Sequence, residues 1–308
     1  MNADAIPCMR WTGSRQSWRR RRDGGFDADR YEVREIPERE AKPFVRENHY
    51  LGSMPSVRRC YGLYEAGALL VGVAVLSYPQ SEKTIPAAFP ELPPIEAADL
   101  GRFVLVDRVP ANGESHFLGE VRKMAARPST LADPAKKGDP EEEARKIPLR
   151  GLVMFSDPVA RRRADGSLLT PGHWGVIYQA SNCEFLGRSG KSTEAVFPDG
   201  TVFGRRTAQK VRKQEQGHAY AERMLIARGA RPMRPGEKPA AWLREALDAA
   251  GAKPFRHPGK FKYAIALGED RSDRASVVIA GGLGHRAYPK RHLGQLELFD
   301  DQALFQEG

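Results

Sequence analysis

The chain has 308 residues, 41% of them hydrophobic and 29% charged, and carries a formal net charge of +10 at pH 7. It is long enough for more than one minimal α/β domain and apolar enough for a core, yet no apolar run reaches membrane-span length. The first thirty residues hold Arg19 to Arg22 but no apolar stretch, so neither a signal peptide nor an anchor is expected there. Cys8, Cys60 and Cys183 lack metal-site or disulfide-framework spacing, which suits a reducing cytoplasm.

In chain order, residues 1–30 read as a basic, unstructured arm. Residues 31–36 (YEVREI) alternate apolar and charged, as a half-buried strand does, and Pro37 ends it. Residues 38–50 follow as a helix with Phe44, Val45 and Tyr50 on its buried side and Pro43 distorting its first turns. Residues 59–64 and 68–78, parted by Glu-Ala-Gly, form a hairpin whose second strand is apolar enough to be central. A Pro-rich connection leads to a strand at 100–106 (LGRFVLV), and the loop 107–113 then opens a helix. That helix start makes Val106, Asn112, Gly113, Glu114 and Ser115 a natural anion site for a pyrophosphate.

A hydrophilic insert over 128–148 precedes the strand 151–155 (GLVMF), which ends in Ser156-Asp157-Pro158. The segment 172–187 (GHWGVIYQASNCEFLG) places Tyr178 on a short helix running into a further strand. Residues 206–228 read as one long basic helix, Pro232 to Pro239 as a linker and 240–250 as a helix with Trp242, Leu243 and Leu247 on one face, capped by Gly251. Residues 261–267 (FKYAIAL) alternate well enough to return to the main sheet, and 269–308 form a C-terminal tail. The fold class is α+β: a mostly antiparallel central sheet flanked by helices in a domain over 31–268, with the helical segment 206–251 added and loose tails.

The chemistry collects at strand ends. A phenol on a short buried helix can donate a proton to a leaving group, which makes Tyr178 the first catalytic candidate beside Asp157, His49 and Tyr50. Ordinary roles compete: Tyr178 as a core tyrosine, His49 as a helix-end histidine, Asp157 as a helix cap with Pro158 in its first turn. Ser156, Ser181 and Asn182 are polar positioning groups beside them, and His116 and His173 flank the same region, where the sequence alone names no partner for either.

The strings ENHYLGS (47–53), LGRFVLVD (100–107), FSDP (155–158), IYQASN (177–182) and YPKR (288–291) together resemble the phage Mom family of DNA-modification proteins, a branch of the GNAT acyltransferase superfamily. The resemblance runs from about Tyr31 to Arg291 and is thin after Arg205. It implies a GNAT-like fold and transfer of a small carbamoylmethyl-type group to the exocyclic amine of adenine in DNA. It also implies acetyl-CoA or a related donor, and an iron ion for which His49, Tyr50 and Asp157 supply N and O donors. The loop VPANGES matches the glycine-rich GNAT pyrophosphate loop only loosely.

The basic clusters at 19–22, 161–163, 205–212 and 253–262 suit the phosphates of double-stranded DNA, with Arg205, Arg206 and Lys210 as substrate contacts, although any one cluster is as readily a solvated face. Residues 295–299 (QLELF) resemble the peptide that bacterial proteins insert into the sliding clamp, with Gln295, Leu298 and Phe299 as its anchors; folding back onto the chain's own core is the competing reading. Two further readings stay open: a catalytically silent GNAT-like DNA-binding protein, and a GNAT acetyltransferase acting on a small amine or a protein.

Overall fold

The computed structural model describes residues 8–12, 15–19, 25–170, 172–281 and 286–289. Contacts divide it into two compact units. One takes the chain up to Ser156 together with Gly175–Arg188 and Phe261–Tyr288; the other takes Asp157–Trp174 and Ser189–Lys260.

In the first unit, β1 (Cys8–Thr12) and β2 (Arg15–Arg19) pair antiparallel, so the expected unstructured arm contains paired strands. β3 (Tyr31–Ile36) follows and Pro37 sets the start of α1 (Glu38–Asn48), whose first turn holds Glu38 and Glu40 where the helix dipole favours acid. α1 runs through Pro43 and buries Ala41 and Val45 against the sheet. β4 (Val57–Glu65) and β5 (Leu69–Ser77) are buried along most of their length. Ala66 and Gly67, at φ +50 and +73, give the two left-handed residues that a tight hairpin turn needs.

β6 (Ala97–Leu105) leads into α2 (Gly113–Ala125), and α3 (Pro140–Lys146) lies within the hydrophilic insert. β7 (Gly151–Ser156) ends this stretch of the unit. In the second unit, β8 (Arg161–Arg162) and β9 (Leu168–Thr170) form a small antiparallel pair. The chain returns to the first unit for α4 (Val176–Ala180) and β10 (Glu184–Arg188). It then builds β11 (Ser192–Val196), β12 (Val202–Phe203), α5 (Arg205–Lys213), α6 (His218–Ile226), α7 (Pro239–Ala249) and β13 (Lys253–His257) of the second. β14 (Phe261–Ala266) and the short α8 (Arg271–Ala275) belong to the first again.

The main sheet has the order β10-β14-β7-β6-β5-β4-β3. All neighbours are antiparallel except β6 and β7, whose parallel pairing runs only from Ala97↔Gly151 to Asp99↔Val153. Beyond that point residues 100–105 of β6 and 154–156 of β7 are not paired with each other, which leaves a cleft in the hydrogen-bonded ladder. A bulge helps: Leu76 pairs with Leu100 and Val75 with Arg102, so Gly101 is the extra residue. A Cβ on Gly101 would lie 2.5 Å from Ser77 Oγ and 2.9 Å from Pro55 Cγ, which explains a glycine there.

A second bulge, at Arg58 in β4, brings two consecutive arginines onto the insert, and both are 1% exposed. Arg58 donates to the carbonyls of Ala97, Ile95 and Ala144, Arg59 to those of Ala125, Arg127, Arg145 and Ile147. The C-terminal carbonyls of α2 and α3 thus receive their cations from the sheet, where helix dipoles favour positive charge. Ser129 and Thr130 add hydrogen bonds to Glu35. The segment 128–148, hydrophilic in sequence, is docked by polar contacts rather than by an apolar face.

The second unit has its own core. Phe197, Phe203, Val211, Leu225, Trp242 and Leu243 lie at its centre, and Trp242 Nε1 donates to the Arg231 carbonyl at 2.9 Å. β12, β11 and β13 form a three-stranded sheet in that order. The expected single helix over 206–228 is two helices, because Gln214 (φ +52) and Gly217 (φ +87) turn left-handed between them.

Candidate active site

The cleft between β6 and β7 gathers polar groups from five elements of the first unit. Tyr178 lies on α4, whose left-handed N-cap Gly175 (φ +70) has no room for a Cβ: one would sit 2.6 Å from the Tyr263 ring. The rings of Tyr178 and Tyr263 are 5.4 Å apart at 55°. Gln179 Nε2 donates to the Tyr263 hydroxyl at 3.1 Å. Ser156 Oγ, 0% exposed at the end of β7, is near enough to the Tyr263 hydroxyl to favour its ionised form, yet meets no partner at hydrogen-bonding geometry among the described residues. A buried hydroxyl in that state is ready for a ligand's polar atom.

Burial drives the Tyr178 phenol well above the usual tyrosine range, and the negative charge that Tyr50, Asp99 and Cys183 can carry nearby adds to the effect. Tyr263 is pushed up to about 12 by burial, against the hydrogen bond from Gln179. Both phenols are therefore proton-bearing at neutral pH, as a proton donor has to be. Cys183 is likewise raised to about 12 by burial.

His49 is the C-cap of α1, as a helix-end reading has it; its Nδ1 accepts from Leu51 N–H at 3.1 Å and its ring stacks on Tyr50 at 4.5 Å. The turn that carries them is fastened to β6 by Arg102, whose guanidinium donates to the Ser53 carbonyl at 2.8 Å and to its hydroxyl at 3.1 Å. Ser181 caps α4 and its carbonyl accepts from Arg122 at 3.3 Å, while Asn182 (φ +56) makes the left-handed turn into β10. Tyr263, Asp99 and Arg102 carried no role in the sequence reading. For Tyr263 the available signal was a lone phenol at an inward position of the strand FKYAIA, whose other inward residues are apolar.

Asp157 belongs to the second unit and is occupied there. Its Oδ1 accepts from His257 Nε2 at 2.9 Å and Val159 N–H at 3.0 Å, and its Oδ2 from Arg161 at 2.7 Å. Burial works to raise its pKa, but the hydrogen bond from His257 and the charge and hydrogen bonds of Arg161 hold it far below the usual carboxylate range. It caps a turn rather than a helix. Gly259 N–H donates to His257 Nδ1 at 3.0 Å, so neutral His257 carries its proton on Nε2, facing Asp157. His173, also in this unit, is brought down to about 4 by burial, and its backbone N–H donates to the Asp157 carbonyl at 2.7 Å. His116, in the first unit, packs on Phe26 at 5.0 Å instead.

These facts correct the iron expectation. Among the described residues no group of three or more His, Cys, Asp or Glu side chains is placed to hold a metal. Both Asp157 oxygens are already engaged, by His257 and Val159 on one and Arg161 on the other. The pyrophosphate expectation meets a poor fit as well. Asn112 (φ +78) and Gly113 do open α2, but Glu114 puts a carboxylate in its first turn. The Phe26 ring also lies 3.3 Å from where a Gly113 Cβ would be. A pyrophosphate there would share the helix start with an acidic residue and have the Phe26 ring beside Gly113.

Of the basic clusters, Arg161 is internal: it is 14% exposed and paired with Asp157 and Glu194. Arg205 and Arg206 are exposed on α5, with Arg206 paired to Glu215, and Lys210 packs beside Gly217. The clamp-like peptide 295–299 lies outside the described residues.

The strand order, the single parallel pair and the cleft it opens beside a following helix define a GNAT-like fold. Within it, residues 30–132 match the model of the Mom protein family. That stretch includes His49, Tyr50, Asp99 and Arg102 but ends before β7 and α4. Among solved structures, the chain is similar to a tandem GNAT protein from the clavulanic acid biosynthesis pathway (without AcCoA). The identity is 9% and the TM-score 0.29, over 78% of this chain and 75% of that one. No curated protein sequence matches the chain. No helix among the described residues is long and apolar enough to cross a membrane.

Proposed function

We propose that the protein is a Mom-like transferase that modifies the exocyclic amine of adenine in double-stranded DNA with a small acyl-derived group of the carbamoylmethyl type. The observation that carries the proposal is the cleft itself. In its support, the stretch that matches the Mom family holds Tyr50 and Asp99, whose charge acts on the buried Tyr178, and the Tyr178 ring packs on that of Tyr263.

In this reading adenine leaves the stack and enters the cleft, where the aromatic groups offer stacking and Ser156 and Asp99 accept or donate hydrogen bonds to its edge. The amine forms a bond to the electrophilic carbon of the donor and releases a proton, which returns to Tyr178 once the phenol has given up its own. The donor's leaving group departs with its electron pair and takes the proton of Tyr178. A phenol whose pKa lies above the usual value remains charged with its proton until a basic leaving group develops. Arg102 positions the His49–Tyr50 turn rather than touching the reacting atoms.

The test is mass spectrometry of nucleosides from DNA of cells expressing the chain or its Tyr178→Phe variant. A mass-shifted adenosine present with the first and absent with the second is expected. Unmodified DNA with both overturns the reading and favours the silent DNA-binding alternative, which the poor fit at the start of α2 supports.

A further inference from the structure

The second unit contains a surface that the chemistry above does not use. α5 and α6 are joined by residues 214–217, and backbone bonds fix the turn: Glu215 N–H donates to the Lys210 carbonyl at 3.0 Å and His218 N–H to that of Glu215 at 2.9 Å. Gly217 is required there, since its φ of +87 would strain any other residue. Ala208 and Val211 of α5 and Ala221 and Leu225 of α6 are buried with Trp242 and Leu243 of α7, so the pair is held rigidly on its own core.

Among the described residues, none covers the opposite face of α6. Ala219 and Arg223 are exposed, Tyr220 is 58% exposed and Ile226 37%. A tyrosine, an isoleucine, a small residue and an arginine on one exposed helical face are a contact surface rather than a solvated one. The charge around them is positive. Arg205, Arg212 and Lys213 stand exposed on α5, while the acids of the pair are taken up internally, Glu215 by Arg206 and Gln209, Glu222 by His218 and Gln214.

From this arrangement we infer that α5, its turn and α6 form a helix-turn-helix that docks on double-stranded DNA, with α6 in the major groove and the cations of α5 on the phosphates. Two helices joined by a short turn containing glycine, the second presenting its N-terminal residues outward, is the geometry of such a reader. An α-helix with its side chains, about 10–12 Å across, fills a groove about 12 Å wide. Ala219 permits close approach, Arg223 reaches the acceptors of a guanine edge, and Tyr220 supplies a rigid amphipathic contact to a neighbouring base. The inference rests on the DNA-directed reading above and adds to it that the second unit selects which adenines are presented.

Purified full-length protein is allowed to select from randomised duplexes, and the bound fraction is sequenced, for wild type, Tyr220→Ala/Arg223→Ala, Arg223→Lys, and Arg205→Ala/Arg212→Ala/Lys213→Ala. Wild type enriches a short motif. The α6 double variant loses about tenfold or more of the preference for that motif over random duplex, as loss of a bidentate base contact does. Its melting temperature and random-duplex binding stay close to those of wild type. Arg223→Lys, which keeps the charge, relaxes the motif at one position; the α5 variant weakens binding to all duplexes and flattens its salt dependence. No enriched motif, or an unchanged one in both α6 variants, overturns the inference. Nucleoside mass spectrometry separates the two claims. Modified adenine with an α6-independent motif defeats this inference alone, and α6-dependent enrichment without any modified nucleoside defeats the transferase reading alone.

Discussion

The carboxylate of Asp157 and the imidazole of His257, a hundred residues apart in sequence, meet at 2.9 Å and tie the turn after β7 to the end of β13. With Arg161 on the other oxygen, the carboxylate serves the second unit's architecture and has no free face for substrate or metal.

Acid should therefore unfold this unit early. The folded-state pKa of Asp157 is depressed, so its contribution to stability is present above the unfolded value, about 3.9, and is lost as pH falls through the folded value. Asp157→Asn removes that pH dependence and keeps one acceptor oxygen, so either Arg161 or His257 is left facing an amide N–H, at a cost of about 2–4 kcal/mol. Thermal melts at pH 7 and pH 3 check this. The variant should melt well below wild type at pH 7 and lose less than wild type between the two pH values, and an unchanged melt at pH 7 would show the network to be inert.

Most of the main sheet was legible in the sequence because its strands alternate or run apolar between breakers, as in YEVREI and FKYAIAL. The cleft was half legible. Tyr178, His49 and Tyr50 sit in local strings, whereas Asp99 and Arg102 owe their place to the Gly101 bulge and the end of the β6–β7 pairing, which leave no local mark. The same limit explains Asp157. Ser-Asp-Pro reads as a cap or an active-site loop, and nothing near it announces a histidine one hundred residues on. The two helices over 205–226 were fused in the sequence reading because the charges continue through Gln214, where only the backbone changes hand.

Arg59 should be the more severe of the two buried arginines to lose. Its guanidinium serves four carbonyls, from Ala125, Arg127, Arg145 and Ile147, and Arg59→Met fills the volume while leaving those acceptors unpaired. A loss of several kcal/mol is expected, roughly 1–3 for each acceptor that water fails to reach. Limited proteolysis should then cut first within 128–148. Arg58, whose pKa burial has brought down to about 10, serves three carbonyls, and its methionine variant should lose less. Equal protease resistance in wild type and Arg59→Met would mean that the insert is held by other contacts.

Cys183 lies beside the cleft but should not act as a nucleophile. Burial raises it to about 12, as it does Cys60, and the thiolate is the reactive form. In a Cys8→Ser background, a thiol reagent at pH 8 should label neither cysteine until denaturant is added, and then both. Rapid labelling of Cys183 in the folded protein would reopen a covalent route.

The phenols give the sharpest test of the cleft. Tyr178→Phe keeps the packing against Tyr263 and removes one hydroxyl, so modification should fall by roughly 100-fold while the melting temperature holds. Tyr263→Phe, which takes the hydroxyl away from Gln179 and Ser156, should cost about tenfold, the rate equivalent of about 1.4 kcal/mol. Because burial raises both phenols in the folded protein, their un-ionised forms add stability that is complete below the unfolded value of about 10 and is lost as pH rises above it toward the folded values. Ultraviolet titration of the folded protein should accordingly show both Tyr178 and Tyr263 still protonated at about pH 11, where exposed tyrosines have ionised. If Tyr178→Phe removes a phenolate signal near pH 10, or leaves modification at the wild-type rate, Tyr178 is not the proton donor and the leaving group takes its proton from elsewhere in the cleft.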